Sequence, residues 1–300
     1  MKPAETDIRL DQLAKVTGLS PVLIRAWERR YGVPVPSRTE GGHRRYSREQ
    51  AELVRRAALL VRSGLRAAEA IARARTEGAP APPLDLVEVA ELAELLVGGD
   101  AVQALDRLRA AWLALGFDAT LEELALPALR DIGVGWASGR YSVAEEHVAT
   151  GVVMSWLGTV RSELPATDLG APRYLLATPE GEQHGLAVWA LELLLRLRGV
   201  PSRALGASVP TDDLAQETRR FGVAGVVLGV ARPALRRAAI SAGRRVAQAT
   251  NGGVTVYLGG AGAPDQVAGL LRLPPSLTAA ADFLARVAQV PAEQRLLRSK

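Results

Sequence analysis

The chain of 300 residues contains no cysteine, and only 4% of its residues are aromatic. The lack of cysteine excludes disulfide bonds, thiolate nucleophiles, and zinc or iron–sulfur sites built on cysteine. No apolar run reaches about 18 residues, and the N-terminus does not pair a basic region with an apolar core, so neither a membrane span nor a signal peptide is predicted. We therefore expect a soluble, cytoplasmic protein in which each aromatic residue is informative.

Positive charge is concentrated at one end of the chain. Residues 1–78 contain 16 Lys and Arg against 9 Asp and Glu, a net charge of +7, whereas the remaining residues carry −2 of the total of +5. A small basic module on a nearly neutral body is typical of a DNA-binding protein. Solvated arginines on ordinary helices would give the same charge pattern, so the motifs have to decide between the two interpretations.

Two stretches rich in proline and glycine divide the chain, because such residues do not continue a helix. They lie at residues 78–83 and 164–172. A chain of this length is expected to hold two or three domains, and the 48% hydrophobic content is ample for their cores. We predict three domains, at residues 1–78, 84–165 and 172–286.

The middle segment repeats apolar residues at spacings of three and four, which predicts a bundle of four helices. The predicted helices are Leu84 to Leu96, Ala101 to Leu115, Thr120 to Ile132 and Val143 to Leu157. Asp100 and Thr120 stand where N-cap residues are expected.

The last segment alternates short apolar runs with helical stretches, which is typical of a doubly wound, Rossmann-like parallel sheet. Strands are predicted at residues 174–178, 224–230 and 253–260, and helices at residues 186–197, 211–221 and 232–249. Ligands of such sheets bind at the carboxyl ends of the strands. His184 follows the first predicted strand and therefore belongs to that edge.

The basic N-terminal segment has the pattern of a helix-turn-helix. A helix is predicted from Ile8 to Val16, then a turn at residues 17–20, and a second helix from Pro21 to Tyr31 with Ser20 as its N-cap. The second helix should expose Arg25, Arg29 and Arg30. A glycine-rich turn at residues 40–43 then indicates a hairpin wing. Such an arrangement binds duplex DNA through the basic second helix.

Residues 23–32 (LIRAWERRYG) and 38–46 (RTEGGHRRY) resemble the winged-helix head of the MerR family, over roughly residues 7–75. The resemblance implies that Arg25 and Arg30 face the major groove and the phosphates. It adds five further DNA-binding candidates, namely Tyr31, Arg38, His43, Arg44 and Tyr46. Trp27 is expected in the core, on one helix face with Leu23 and Tyr31. Glu28 should hold an arginine rather than contact DNA.

The remainder, about residues 84–285, resembles the cobalamin-binding region of methionine synthase and of CarH-type light-responsive repressors. In those proteins a helical bundle is stacked on a doubly wound domain. The resemblance implies that His184 is the lower axial ligand of cobalt. A carboxylate two residues earlier, on Glu182, can orient the imidazole and raise its basicity. Gly259 and Gly260 would let the nucleotide tail of the cofactor approach the backbone closely.

The bundle carries a second part of the same resemblance. Trp136 precedes the pair Glu146-His147 with nine residues between them, as in the CarH-type regulators. There these residues line the upper face of the corrin ring, near the adenosyl group, where a flat indole buries much apolar area. The alternative is a core tryptophan beside an ion pair at a helix end.

Three positions depart from the pattern of these relatives. Ala187 stands where a glycine usually follows the ligand histidine, and Gly229-Val230-Ala231 replaces a turn that usually contains serine. Ala137 stands where some light-responsive members carry a histidine that can capture cobalt once the upper ligand is lost. The first two departures bear on the nucleotide tail, and the third leaves this position without a second protein ligand for cobalt.

The resemblance implies a transcriptional repressor, dimeric or tetrameric, that binds operator DNA when it holds adenosylcobalamin and responds to light. Two alternatives stay open at this point. The first is a regulator of the same fold that is independent of cobalamin or binds another chromophore such as a bilin. The second is an enzyme, a corrinoid methyltransferase module, against which the DNA-binding head argues.

Overall fold

The computed structural model describes residues 8–17, 19–39, 41–62, 66–76, 86–164 and 171–289. The chain forms two compact units, Met1–Thr167 and Asp168–Lys300. The predicted break at residues 78–83 lies outside the described residues, as do residues 165–170 of the break predicted at 164–172, Gly18 of the first turn and the expected helix start at Leu84. Among the residues that are described, no helix is long and apolar enough to cross a membrane.

The head of the first unit is a winged helix-turn-helix with a small antiparallel sheet in the order β1-β3-β2. Its elements are β1 (Ile8–Arg9), α1 (Leu10–Thr17), α2 (Pro21–Tyr31), β2 (Ser37–Arg38), β3 (Arg44–Tyr46), α3 (Arg48–Arg62) and α4 (Ala67–Thr76). The predicted second helix and its N-cap are confirmed, since the Ser20 hydroxyl accepts a hydrogen bond from the Leu23 N–H at 3.2 Å. The predicted helix start at Ile8 is wrong, because Ile8 and Arg9 pair with Tyr46 and Arg45 as a strand.

The helical part of the first unit follows. It contains α5 (Leu86–Val97), α6 (Ala101–Leu115), α7 (Phe117–Ala119), a π-helical turn (Thr120–Ala125), α8 (Leu126–Ala137) and α9 (Val143–Glu163). Asp100 caps α6 as predicted, because its carboxylate accepts the Gln103 N–H at 3.0 Å. Thr120 is not an N-cap. The helical segment begins earlier than predicted, directly after Gly116, whose φ of +87° separates α6 from α7. The Thr120 hydroxyl donates a hydrogen bond to the Gly116 carbonyl.

The second unit is a five-stranded sheet in the order β5-β4-β6-β7-β8, parallel throughout. Its elements are β4 (Tyr174–Pro179), α10 (Leu186–Leu197), β5 (Ser202–Val209), α11 (Thr211–Phe221), β6 (Gly225–Gly229), a 3₁₀ turn (Pro233–Leu235), α12 (Arg236–Ala249), β7 (Thr255–Gly259), β8 (Leu271–Arg272) and α13 (Leu277–Gln289). The predicted fold class, a winged helix-turn-helix head, a helical bundle and a doubly wound sheet, is confirmed. The sequence analysis missed β5, β8 and α13.

The parallel register determines which loops of the second unit can meet. The carboxyl ends of β4, β6 and β7 lie side by side, with Leu228 of β6 opposite Ala177 on one side and Leu258 on the other. The Val230 N–H donates to the Gly259 carbonyl at 2.8 Å and continues this pairing beyond the strands. The loop after β4, which carries His184, therefore shares one edge of the sheet with the loops after β6 and β7.

Candidate DNA-binding and cofactor-binding sites

Helix α2 presents its basic side chains to solvent. Arg25, Arg29 and Arg30 are exposed, as predicted. Trp27 is 3% exposed and packs in the core of the head with Val33 and Val54, so its predicted core position is confirmed. Its expected neighbour Leu23 is 41% exposed, and Ile24 takes the buried place instead. The buried face of the helix is thus shifted by one residue from the predicted one.

An ion pair connects this helix with the wing. The Nε of Arg44 on β3 donates to both carboxylate oxygens of Glu28 on α2, at 3.1 and 3.2 Å. The prediction that Glu28 holds an arginine is confirmed, and the arginine is one that the sequence analysis placed on the DNA backbone. Arg38 and His43 stand exposed on the same wing.

Tyr46 and Tyr31 differ from the sequence expectation in their exposure. Tyr46 was placed on the DNA backbone, but its side chain is fully buried in a cluster with Leu13 and Ile24, so it cannot reach a phosphate. Burial, and next the nearby Glu28 carboxylate, raise the pKa of Tyr46. Tyr31 is half-buried, with the Arg30 guanidinium 5.5 Å from its ring centroid. Its place in the DNA contact set stays a prediction, whereas Tyr46 is a core residue.

Replacing Arg44 by alanine should weaken binding to duplex DNA of any sequence by about tenfold, and should lower the salt slope of the affinity by about one. The reason is twofold, since the variant loses a wing cation and also the link between the wing and α2. Equilibrium binding at several salt concentrations measures both effects. Glu28→Gln is the matched control, because it loosens the link but leaves the cation in place. An Arg44→Ala protein that binds like the parent at every salt concentration would remove Arg44 from the interface.

The loop after β4 in the second unit holds a buried carboxylate against an exposed imidazole. The Glu182 side chain is fully buried, whereas that of His184 is 56% exposed. Their contact, predicted from the spacing, joins Glu182 Oε1 to His184 Nδ1 at 2.5 Å. Oε1 also accepts the His184 N–H at 3.2 Å. Because Nδ1 is engaged, Nε2 is the ring nitrogen left for a ligand.

The second oxygen of Glu182 is held by a distant part of the chain. Oε2 accepts the backbone N–H groups of Ala231 at 3.1 Å and Arg232 at 3.0 Å, in the loop after β6. Burial by itself would raise the pKa of Glu182, but the hydrogen bonds from Arg232 and His184 outweigh it and bring the pKa below its usual range. Glu182 is therefore a carboxylate that orients the imidazole.

Further hydrogen bonds fix the shape of this loop. The Thr178 hydroxyl donates to the Glu182 carbonyl at 2.5 Å and accepts the Ser208 N–H at 2.8 Å. The Ser208 hydroxyl accepts the Gly181 N–H at 3.0 Å. Thr178 and Ser208 were missed by the sequence analysis. The position of Thr178 at the end of the predicted strand β4 is a signal that could have identified it, whereas Ser208 lies at the end of β5, which was itself missed.

Gly260, directly after β7, has a structural explanation within the chain. Gly260 has a φ of +97°, and a Cβ there would lie 2.5 Å from the Val230 carbonyl oxygen. This close approach accounts for Gly260 without any cofactor. At Gly229, a Cβ would lie 3.4 Å from the Val188 side chain, which is an ordinary contact distance. The packing therefore gives no steric reason for a glycine at position 229. Ala187 is exposed at the start of α10.

The turn between α8 and α9 brings the predicted upper-face residues to the surface of the first unit. Trp136 is 50% exposed, whereas Trp112 and Trp156 are buried. The alternative of a core tryptophan at position 136 is therefore wrong. Ser142 and Glu145 form a capping box that starts α9, so Glu146 lies in the first turn and His147 directly follows it.

Hydrogen bonds hold Glu146 and His147 at the start of α9. His147 Nδ1 lies 2.8 Å from Glu146 Oε2, and the Thr150 hydroxyl donates to Glu146 Oε1 at 2.9 Å. The His147 side chain is 73% exposed. Three exposed valines of the same two helices were missed by the sequence analysis, namely Val134, Val143 and Val148. The surface near the turn thus combines an indole, a carboxylate–imidazole pair and apolar side chains.

The head and the bundle each match a known protein family. Residues 8–75 match the MerR HTH family of regulatory proteins, and residues 88–161 match the B12 binding domain. Both matches lie in the first unit.

Two curated repressors of Myxococcus xanthus are similar to most of the chain. The HTH-type transcriptional repressor CarA is 37% identical over 216 residues, which cover 69% of this chain and 70% of CarA. The HTH-type transcriptional repressor CarH is 30% identical over 278 residues, which cover 87% of this chain and 91% of CarH. Among solved structures, the monomethylamine corrinoid protein of Methanosarcina barkeri has the same fold, with a TM-score of 0.58 and 14% identity over 68% of this chain and 100% of that protein.

Proposed function

Since the chain belongs to the CarA and CarH family of MerR-type transcriptional repressors, we propose that it represses transcription under the control of adenosylcobalamin and of light. The observation that carries the proposal is the pair in the second unit, an exposed imidazole oriented by a fully buried carboxylate. In the same chain, α2 presents exposed arginines for DNA. Fold likeness to a corrinoid protein at 14% identity concerns the fold alone and gives no reason to propose methyl transfer.

The residues of the loop after β4 fit the lower side of a corrinoid. One imidazole offers too few ligands to hold a free metal ion, but it suffices as the axial ligand of a metal already held in a macrocycle. The hydrogen bond from Nδ1 to Glu182 leaves Nε2 available and raises its basicity. We assign His184 as the cobalt ligand and Glu182 as the group that orients it. Gly259 and Gly260, at the same edge of the sheet, stay the predicted neighbours of the nucleotide tail.

The surface residues of the first unit fit the upper side. An indole that is half exposed in the protein alone can cover a flat apolar ring and bury the remaining area. Glu146 and His147 offer a carboxylate oxygen and ring nitrogens that can bind ribose hydroxyl groups. We assign Trp136, Glu146 and His147 to the contact with adenosylcobalamin.

When bound, adenosylcobalamin supplies a cobalt–carbon bond that visible light breaks. The residues assigned above would bind and orient the cofactor, and the Trp136 indole would shield it from water. Because Ala137 has no ligand atom, this position offers cobalt no second protein ligand. The state of the cofactor is then expected to change DNA binding only through a difference in its affinity for two arrangements of the protein.

Mixing the purified protein with adenosylcobalamin in the dark should give a cobalamin spectrum distinct from that of the free cofactor, and green light should change it. The spectrum of the co-eluting complex after gel filtration is the measurement. His43→Ala is the control, because His43 lies on the wing and not at the proposed cofactor site. Separate elution of protein and cofactor would contradict cobalamin control, and a repetition with biliverdin would then test the bilin alternative.

A further inference from the structure

The turn between α8 and α9 is built around one glycine. Gly135 lies one residue before Trp136 and is buried under the ring of Tyr141. A Cβ at position 135 would meet the ring carbons Cδ2 and Cε2 of Tyr141, the latter at 2.6 Å, and the Nε of Arg140 at 3.0 Å. A glycine inside a helix is destabilising relative to alanine. Its place in α8 is therefore explained by the aromatic ring that occupies the space of its side chain.

Tyr141 is held in this position from the other sides. The Arg140 guanidinium lies 4.4 Å from the centroid of its ring. The Tyr141 hydroxyl donates to the Glu94 carboxylate of α5 at 3.1 Å, and Arg140 pairs with Asp131 of α8 at 2.7 Å. The ring is thus connected to two helices of the bundle as well as to its own turn.

The backbone of Gly135 closes the same turn. Its carbonyl accepts the N–H groups of Arg140 at 2.7 Å and Tyr141 at 3.3 Å, and also the Ser138 hydroxyl at 3.0 Å. The capping box of α9 begins at Ser142, directly after Tyr141. The separation between Trp136 and the first turn of α9 is therefore determined by how closely residues 135 and 141 approach each other.

From this packing we infer that Gly135 and Tyr141 are a positioning pair for the cofactor-binding surface. They hold Trp136 and the Glu146-His147 pair in the relative placement that an adenosyl group and a corrin ring require. The inference rests on the proposed function, because it concerns the same surface residues. Neither member of the pair is assigned a contact with the cofactor, and both act through the turn that they fix.

The chain provides a matched control on the same helix. Gly133 also lies within α8, but a Cβ there would meet no atom within 4 Å. Gly135→Ala and Gly133→Ala therefore make the same chemical change in the same helix with opposite steric consequences. In the protein without cofactor, hydrogen exchange of the Arg140 and Tyr141 amides should be about tenfold faster in Gly135→Ala and unchanged in Gly133→Ala.

Titration with adenosylcobalamin in the dark tests the consequence for binding. Gly135→Ala should weaken binding about tenfold or more, because a binding site tolerates little displacement of its contact residues, while Gly133→Ala stays within about twofold of the parent. Tyr141→Ala should show a similar loss. The double variant Gly135→Ala/Tyr141→Ala should bind no more weakly than Tyr141→Ala, because the added methyl group then meets only the flexible end of the Arg140 side chain, which can move aside.

The outcomes separate this inference from the proposed function. If the parent binds adenosylcobalamin and neither Gly135→Ala nor Tyr141→Ala weakens binding, the positioning role is wrong and the proposed function stands. If the parent itself does not bind, the proposed function is wrong, and so is any positioning of a cobalamin surface. Should Gly135→Ala lose its far-ultraviolet circular dichroism, the comparison of Tyr141→Ala with Tyr141→Phe, which keeps the ring, decides the question by the same titration.

Discussion

His184→Ala is expected to weaken binding of adenosylcobalamin by about tenfold or more, roughly 1.4 kcal/mol or more of binding free energy, and to abolish the histidine-ligated spectrum. The imidazole is exposed in the loop after β4, and its Nδ1 is engaged by the buried Glu182 carboxylate. Removing it takes away the proposed cobalt ligand and leaves that carboxylate without its side-chain donor. Absorption titration of the full chain in the dark gives both the affinity and the spectrum.

Two further measurements show whether the loss comes from ligation. Added imidazole should restore the ligated spectrum of His184→Ala, because a free ligand can enter the space of the missing ring. Glu182→Gln keeps the shape of the side chain and should cost about 10-fold to 100-fold in affinity while retaining a histidine-ligated spectrum. A His184→Ala protein with the affinity and spectrum of the parent would mean that this histidine does not ligate cobalt.

A contact of this site could be predicted from the sequence only where its two residues are close to each other along the chain. The Glu182–His184 contact follows from a spacing of two residues and was predicted. The donors to the other carboxylate oxygen, on Ala231 and Arg232, lie 49 and 50 residues away. Only the order of the parallel strands places the loop after β6 beside the loop after β4, and no local pattern contains that order. The sequence therefore predicted which carboxylate contacts the imidazole, but not which backbone N–H groups hold the other oxygen of that carboxylate.

The errors in the fold have a different origin, which lies in the local backbone. Strand β5 was missed because Gly206 and Ser208 have positive φ values and interrupt the alternation of an edge strand. Thr120 looked like an N-cap by residue type, yet Gly116 had already begun the helix four residues earlier. Tyr46 follows two arginines and appeared to be exposed with them, but the alternation of side chains along β3 turns it into the core. In each case the backbone conformation of the segment overrode the signal of the single residue type.

Adenosylcobalamin in the dark is expected to raise the oligomer size and to tighten operator binding by about tenfold or more, and green light should reverse both. The reason is that our proposal places the adenosyl group against Trp136, which is half exposed in the protein alone. Losing that group removes the difference in affinity that favours one arrangement. Light scattering gives the size, and titration of duplexes selected by the full-length protein in the dark gives the affinity.

The residue after Trp136 determines whether the illuminated state can be reset. Ala137 is exposed and has no ligand atom, so fresh adenosylcobalamin added after illumination should restore DNA binding. Ala137→His is the matched variant, because an imidazole at this position could capture cobalt and should slow or prevent that recovery. If oligomer size and operator affinity are both indifferent to adenosylcobalamin in the dark, cobalamin control is wrong, and a regulator that is independent of cobalamin or binds a bilin becomes the better explanation. Equal recovery in the parent and in Ala137→His would instead contradict only the role given to position 137.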